Sequence, residues 1–146
     1  MRDVAKPVGI IKIRLINRKS GEEKAIQLVN DILSGYAGGV VGELCGEGVR
    51  LGKIDAVHLY DSADSLIKSL SPPSTLEHLT ASGQDKAHAV WEDNSSDEYT
   101  VAKIYISTLY DSSVRTIAGK AGLNVTKTSS DKLVVDYTLT VPYTTV

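Results

Sequence analysis

Two aspartates stand in the same four-residue signature, Leu-Tyr-Asp-Ser, at Leu59–Ser62 and again at Leu109–Ser112. Paired carboxylates do acid–base work when their environments push their pKa values apart, or they hold a metal. Asp and Ser are also the residues that close turns by bonding their side chains to nearby backbone N–H groups. Turn carboxylates are usually solvated, so Asp61 and Asp111 read as turn formers. Asp93–Glu98, "DNSSDE", begins like a calcium loop, but the sixth position is Glu98 rather than Gly and the twelfth is Ile104 rather than Glu, so it reads as a turn. Gly46–Gly52, "GEGVRLG", lies between a helix and a strand, the reverse of a dinucleotide-binding context. His58, His78 and His88 lack metal-ligand spacing. No Gly-x-Ser-x-Gly elbow is present. Cys45 reads as a buried thiol. The residues offer no catalytic, cofactor-binding or metal-binding set, and the expectation is a non-enzymatic protein without a cofactor.

These residues must be positioned by elements that the composition already biases. A chain of 146 residues with 42% hydrophobic content can bury a core as one domain. A net charge of −2 offers no footprint for nucleic acid. No apolar run approaches the roughly 20 residues of a membrane span. The first residues, with Lys12 and Arg14 inside the apolar stretch, do not read as a secretory signal. One Cys excludes an internal disulfide, seven Tyr with no Phe favour sheet surfaces, and most Thr falls after position 99.

Along the chain, Val8–Asn17 alternates as a half-buried strand. Ile26, Val29, Leu33, Val40 and Leu44 recur at helical spacing, and Ser20 with Glu23 fits a capping box. The spacing therefore predicts a helix over about 22–35. Residues 53–60, 86–93 and 98–110 read as strands. In Lys132–Tyr143, Leu133, Val135, Tyr137, Leu139, Val141 and Tyr143 share one face, with Pro142 marking an edge or a strand terminus. Aligned at an offset of 50, Lys53–Ile67 and Lys103–Ile117 are identical at 7 of 15 positions, which reads as one hairpin corner built twice. The expected fold is mainly β: an antiparallel two-sheet sandwich, jelly-roll or Ig-like, in a single domain. Residues 1–52 supply a strand and a helix that pack on it, and residues 53–146 supply the sandwich strands.

The order of segments, with "LYDSADSLIK", "WEDNSSDEYTVAKI" and "KTSSDKLVVDYTLTV" as its markers, resembles small virion structural proteins. Such proteins occur in tailed phages of thermophilic bacteria and in viruses of hyperthermophilic archaea. The resemblance implies a tail, appendage or capsid-associated subunit, made in the host cytoplasm and assembled into the virion. Its partners would be copies of itself and other virion proteins, with no nucleic acid and no membrane. It carries over no catalytic residues. Tyr99, Tyr105, Tyr110, Tyr143 and Val146 are the candidate assembly surface. The alternative reading is a carbohydrate-binding or adhesion module, which needs Trp91 and tyrosines arranged in a row.

Overall fold

A computed structural model describes residues 6–48 and 50–144. The chain opens with a hairpin of β1 (Val8–Asn17) and β2 (Glu23–Ile32), followed by helix α1 (Ser34–Leu44). Then come β3 (Lys53–Tyr60), β4 (Leu66–Leu70), β5 (Thr75–Ala81) and β6 (Gln84–Asp93). The remainder is β7 (Tyr99–Val101), β8 (Lys103–Tyr110), β9 (Ser113–Lys120), β10 (Val125–Lys127) and β11 (Asp131–Pro142). Nine strands form one antiparallel sheet in the order β4-β3-β8-β9-β2-β1-β11-β6-β5, and β10 pairs with β7 in a small second sheet. The mainly-β expectation therefore holds at that level.

The helix expected over 22–35 is strand for most of that span, and the helix begins at Ser34. Two features hid β2. Its inward row runs Ile26, Leu28, Asn30, Ile32, and the buried Asn30 breaks the apolar alternation. The residues that supplied the helical period, Ile26 and Val29, are 39% and 63% exposed. Ser20 does not cap a helix: its hydroxyl accepts from the Glu22 N–H inside the β1–β2 turn, where Asn17 Oδ1 accepts from Lys19 and Ser20. β1 and β2 are thus strands of the main sheet rather than an attachment to it.

The large sheet is joined across β2 and β9 only through Asp31–Gly119 and Ile32–Ala118. α1 then covers the free edge of β9. A Cβ at Gly35 would overlap the Thr116 carbonyl oxygen, and one at Gly39 would lie 2.9 Å from Leu51, so these glycines let the helix approach closely. The two wings, β4-β3-β8-β9 and β2-β1-β11-β6-β5, share one core. Ile11, Trp91, Leu133, Val135 and Tyr137 from one meet Val57, Leu59, Ile104, Ile106 and Ile117 from the other. The Trp91 indole N–H reaches across to the Asp55 carbonyl at 3.1 Å.

The repeated signature closes two hairpins, but with two different turns: five residues, 61–65, between β3 and β4, and two, 111–112, between β8 and β9. Asp61 Oδ1 accepts from the backbone of Ala63 and Ser65, both at 2.9 Å, between β3 and β4. Asp111 sits at φ +52° in the two-residue turn between β8 and β9, a backbone region that Asp tolerates. β3 and β8 are antiparallel neighbours, so the two corners point to opposite ends. Asp61 and Asp111 stand roughly 25 Å apart at ~3.3 Å per strand residue, which rules out a shared carboxylate site.

Candidate functional site

The expected assembly residues do not converge. The long strand expected over 98–110 breaks at Ala102, whose N–H bonds the Tyr60 carbonyl, so Tyr99 and Tyr105 lie on different sheets. Tyr105 packs edge-to-face on Tyr60, with ring centres 5.6 Å apart, and covers Gly119. Tyr110 is exposed, with the Arg50 guanidinium 5.3 Å from its ring centre. Tyr143 is exposed beside the β5–β6 turn, where its N–H bonds the Gly83 carbonyl at 2.9 Å. Val146 lies outside the described residues. Trp91 is buried, so no aromatic row forms. Cys45 is exposed rather than buried.

Tyr99 belongs to a polar hub that the sequence showed only as a turn. Asp93, almost fully buried, accepts from the Tyr99 hydroxyl at 2.6 Å, from Lys68 Nζ at 3.1 Å and from the Ser95 N–H at 3.0 Å. Lys68 also donates to Asp97 at 2.6 Å. Lys127 is 0% exposed, and its ammonium donates to the carbonyls of Ser95 and Asp97, each at 2.7 Å, and of Thr128 at 3.3 Å. Both lysines lie over the Tyr99 ring, at 5.8 Å and 5.7 Å from its centre. Arg18, from the β1–β2 turn, donates to the carbonyls of Asn94, Ser95 and Ser129. The loop that begins like a calcium site is thus held by tethered cations.

The electrostatics follow from this packing. Burial raises Asp93, but hydrogen bonds from Tyr99, Ser95 and Lys68 outweigh it and hold the carboxyl well below the usual range. Burial and then Asp93 push the Tyr99 phenol up. Burial lowers Lys68, yet its bonds to Asp97 and Asp93 win and raise it. The hub ties β4, β7 and β10 to the segment after β6, with Lys68, Tyr99 and Lys127 all engaged internally.

The histidines are engaged as well. His58 sits between Ser69 at 2.7 Å and Ser107 at 2.8 Å, and burial lowers its pKa. Ser107 is buried, so its hydroxyl is closed to a substrate. His88 Nε2 meets both Asp136 oxygens at 3.0 Å and Nδ1 meets Glu77 at 2.6 Å; these bonds raise its pKa, Asp136 contributing most. The carboxylates lie on opposite sides of the ring and cannot share a metal ion. Among the described residues no group of three or more His, Cys, Asp or Glu side chains is placed to hold a metal.

What remains open is sheet edge. β11, for which Pro142 left an edge or a terminus open, is central: it pairs with β1 over Val8–Asn17 and with β6 over Gln84–Asp93. Pro142 marks the strand terminus. The true outer edges are β4 and β5. β4 is blunted by Lys68, which points inward to Asp93, a common defence against edge pairing. β5 has no inward-pointing lysine, and its one carboxylate, Glu77, is bonded to His88 of β6. Its seven residues, "TLEHLTA", include no Lys, Arg or Pro, and Leu76 and Leu79 are 44% and 43% exposed. The sequence had left this stretch unassigned. Its signal was the Ser82-Gly83 turn, with Gly83 at φ +80°, between two runs that pair. No family model, no curated protein and no solved structure matches this chain.

Proposed function

We propose that the chain is a non-enzymatic structural subunit that acts by self-assembly, joining a second copy of itself through β5. The observation that carries this reading is the unprotected seven-residue edge. Such an edge offers a row of unpaired backbone donors and acceptors to another strand. A second copy fits it by symmetry. Paired antiparallel about His78, β5 engages all seven of its residues with its own copy, as a twofold interface requires. In that register its one carboxylate, Glu77, faces Leu79 rather than another Glu77. We read the subunit as a virion component of the tail, appendage or capsid-associated kind, made in the host cytoplasm and joined there by other virion proteins. The shared core and the Trp91–Asp55 bond support reading the wings as two layers of a sandwich, which is the part of the jelly-roll or Ig-like expectation that the contacts favour.

The test is the native mass of the protein and of Leu79→Lys, which places a charge on the edge without touching the core. The wild type is expected to be an even-numbered oligomer and the variant a monomer with the same thermal midpoint. A wild type that stays monomeric at concentrations of about 100 times a micromolar Kd overturns the reading.

A further inference from the structure

A second feature involves β5 as well, through Leu76, Glu77 and His78, but does not require that its edge be paired. A cleft of about 310 Å3 opens between the two wings. Ile54 and Ile117 line it from one wing, Leu76, Ala87 and Leu139 from the other, with Leu51 from the segment before β3. Thr108 also lines it, but its hydroxyl is committed to the Leu51 carbonyl. The interior is therefore apolar and has no free hydrogen-bonding group from Thr108 to offer.

The rim carries three charged or titratable side chains: Lys53, Glu77 and His78. Glu77 is engaged by His88 and His78 by Asp85. Lys53 is exposed and forms no salt bridge among the described residues. An apolar slot with one uncommitted ammonium at its mouth has the chemistry of a site for an amphipathic anion. At ~30 Å3 per water-sized group, the cleft holds about ten such groups.

We propose that the cleft binds a medium-chain monocarboxylate, with the alkyl chain between the wings and the carboxylate at Lys53. Apolar contact along the chain supplies most of the affinity, and Lys53 selects the charged head.

The test uses decanoate and decanol, titrated into the full chain and followed by amide chemical shifts. Saturable binding of decanoate is expected with a Kd at or below about 1 mM. Lys53→Glu should weaken decanoate roughly three- to tenfold and leave decanol unchanged. Ala87→Phe, which fills the slot, should weaken both by about tenfold or more. If that variant does not fold, intermolecular NOEs from the decanoate methyl to Ile117 and Leu139 of the wild type replace it. Absence of saturable binding overturns the proposal, as do NOEs to another surface. Equal loss of decanol and decanoate in Lys53→Glu overturns the assignment of the head.

Discussion

Replacing Lys127 with Met should be among the most damaging single changes to this fold, although position 127 lies on a strand of only three residues. The side chain is fully buried, and its ammonium serves two carbonyls at 2.7 Å and a third at 3.3 Å. Methionine has a similar length and no donor. A buried acceptor left without a partner costs roughly 1–3 kcal/mol, so the two close carbonyls alone put about 2–6 kcal/mol at stake. Asp97 and Glu98 are exposed, and water entering beside them offsets part of that. A loss of about 2–4 kcal/mol is expected. Equilibrium urea unfolding reads it directly: at a slope of ~2 kcal/mol/M the midpoint should fall by about 1–2 M with the slope unchanged. A shift below about 0.3 M would refute the reasoning, because it would mean that the carbonyls are satisfied as well by water as by the lysine.

Other substitutions probe the remaining links. His88 has its folded pKa raised, so its stabilisation is complete below its unfolded value near 6.5 and is lost as pH rises through the folded value; thermal midpoints between pH 5 and 9 should show this alkaline loss, and His88→Gln should remove it. Asp93 has the opposite sign: its depressed pKa stabilises above its unfolded value near 3.8 and is lost as pH falls toward the folded value, so Asp93→Asn should flatten the acid limb of an unfolding profile while lowering stability at neutral pH. Asp111→Asn should leave the thermal midpoint unchanged, whereas Asp111→Val should cost about 1–2 kcal/mol in denaturant unfolding because of the positive φ. Gly35→Ala should destabilise despite a helix propensity gain of about 1 kcal/mol, since the new Cβ overlaps the Thr116 carbonyl; a more stable protein in the same assay would show that α1 can move off β9.

The sequence was legible where one periodicity acted alone. β1 and β11 were read correctly because Ile11, Ile13, Leu133, Val135, Tyr137 and Leu139 recur two apart and are buried, with Val134 the buried exception on the opposite row of β11. β2 was not, because Asn30 replaces an apolar residue on its inward row while Val29 sits on its outward row, and together they imitate a helical period. The two turns were legible as turns, because Asp61 bonds local backbone N–H groups and Asp111 tolerates a positive φ, but their different lengths were not. The hub was not legible. Lys68 and Lys127 meet Asp93 and the Asp97 carbonyl only through the tertiary fold, and nothing in "SLIKSL" or "VTKTSS" marks either lysine as inward-facing. Pro142 read as an edge or a strand terminus, and it is the terminus: it closes β11 at the last pair of the β6 ladder, while the strand itself is central.

Hydrogen exchange at β5 tests the central claim most directly. In a lone subunit the N–H groups of Thr75–Ala81 that point away from β6 face water and exchange quickly. If β5 joins two copies, those same amides become protected as protein concentration rises, while those bonded to β6 stay protected throughout. The account predicts that concentration-dependent protection, and its loss in Leu79→Lys. Fast exchange of the outward β5 amides at every concentration, in a sample whose mass shows an oligomer, would contradict it and place the interface elsewhere on the chain.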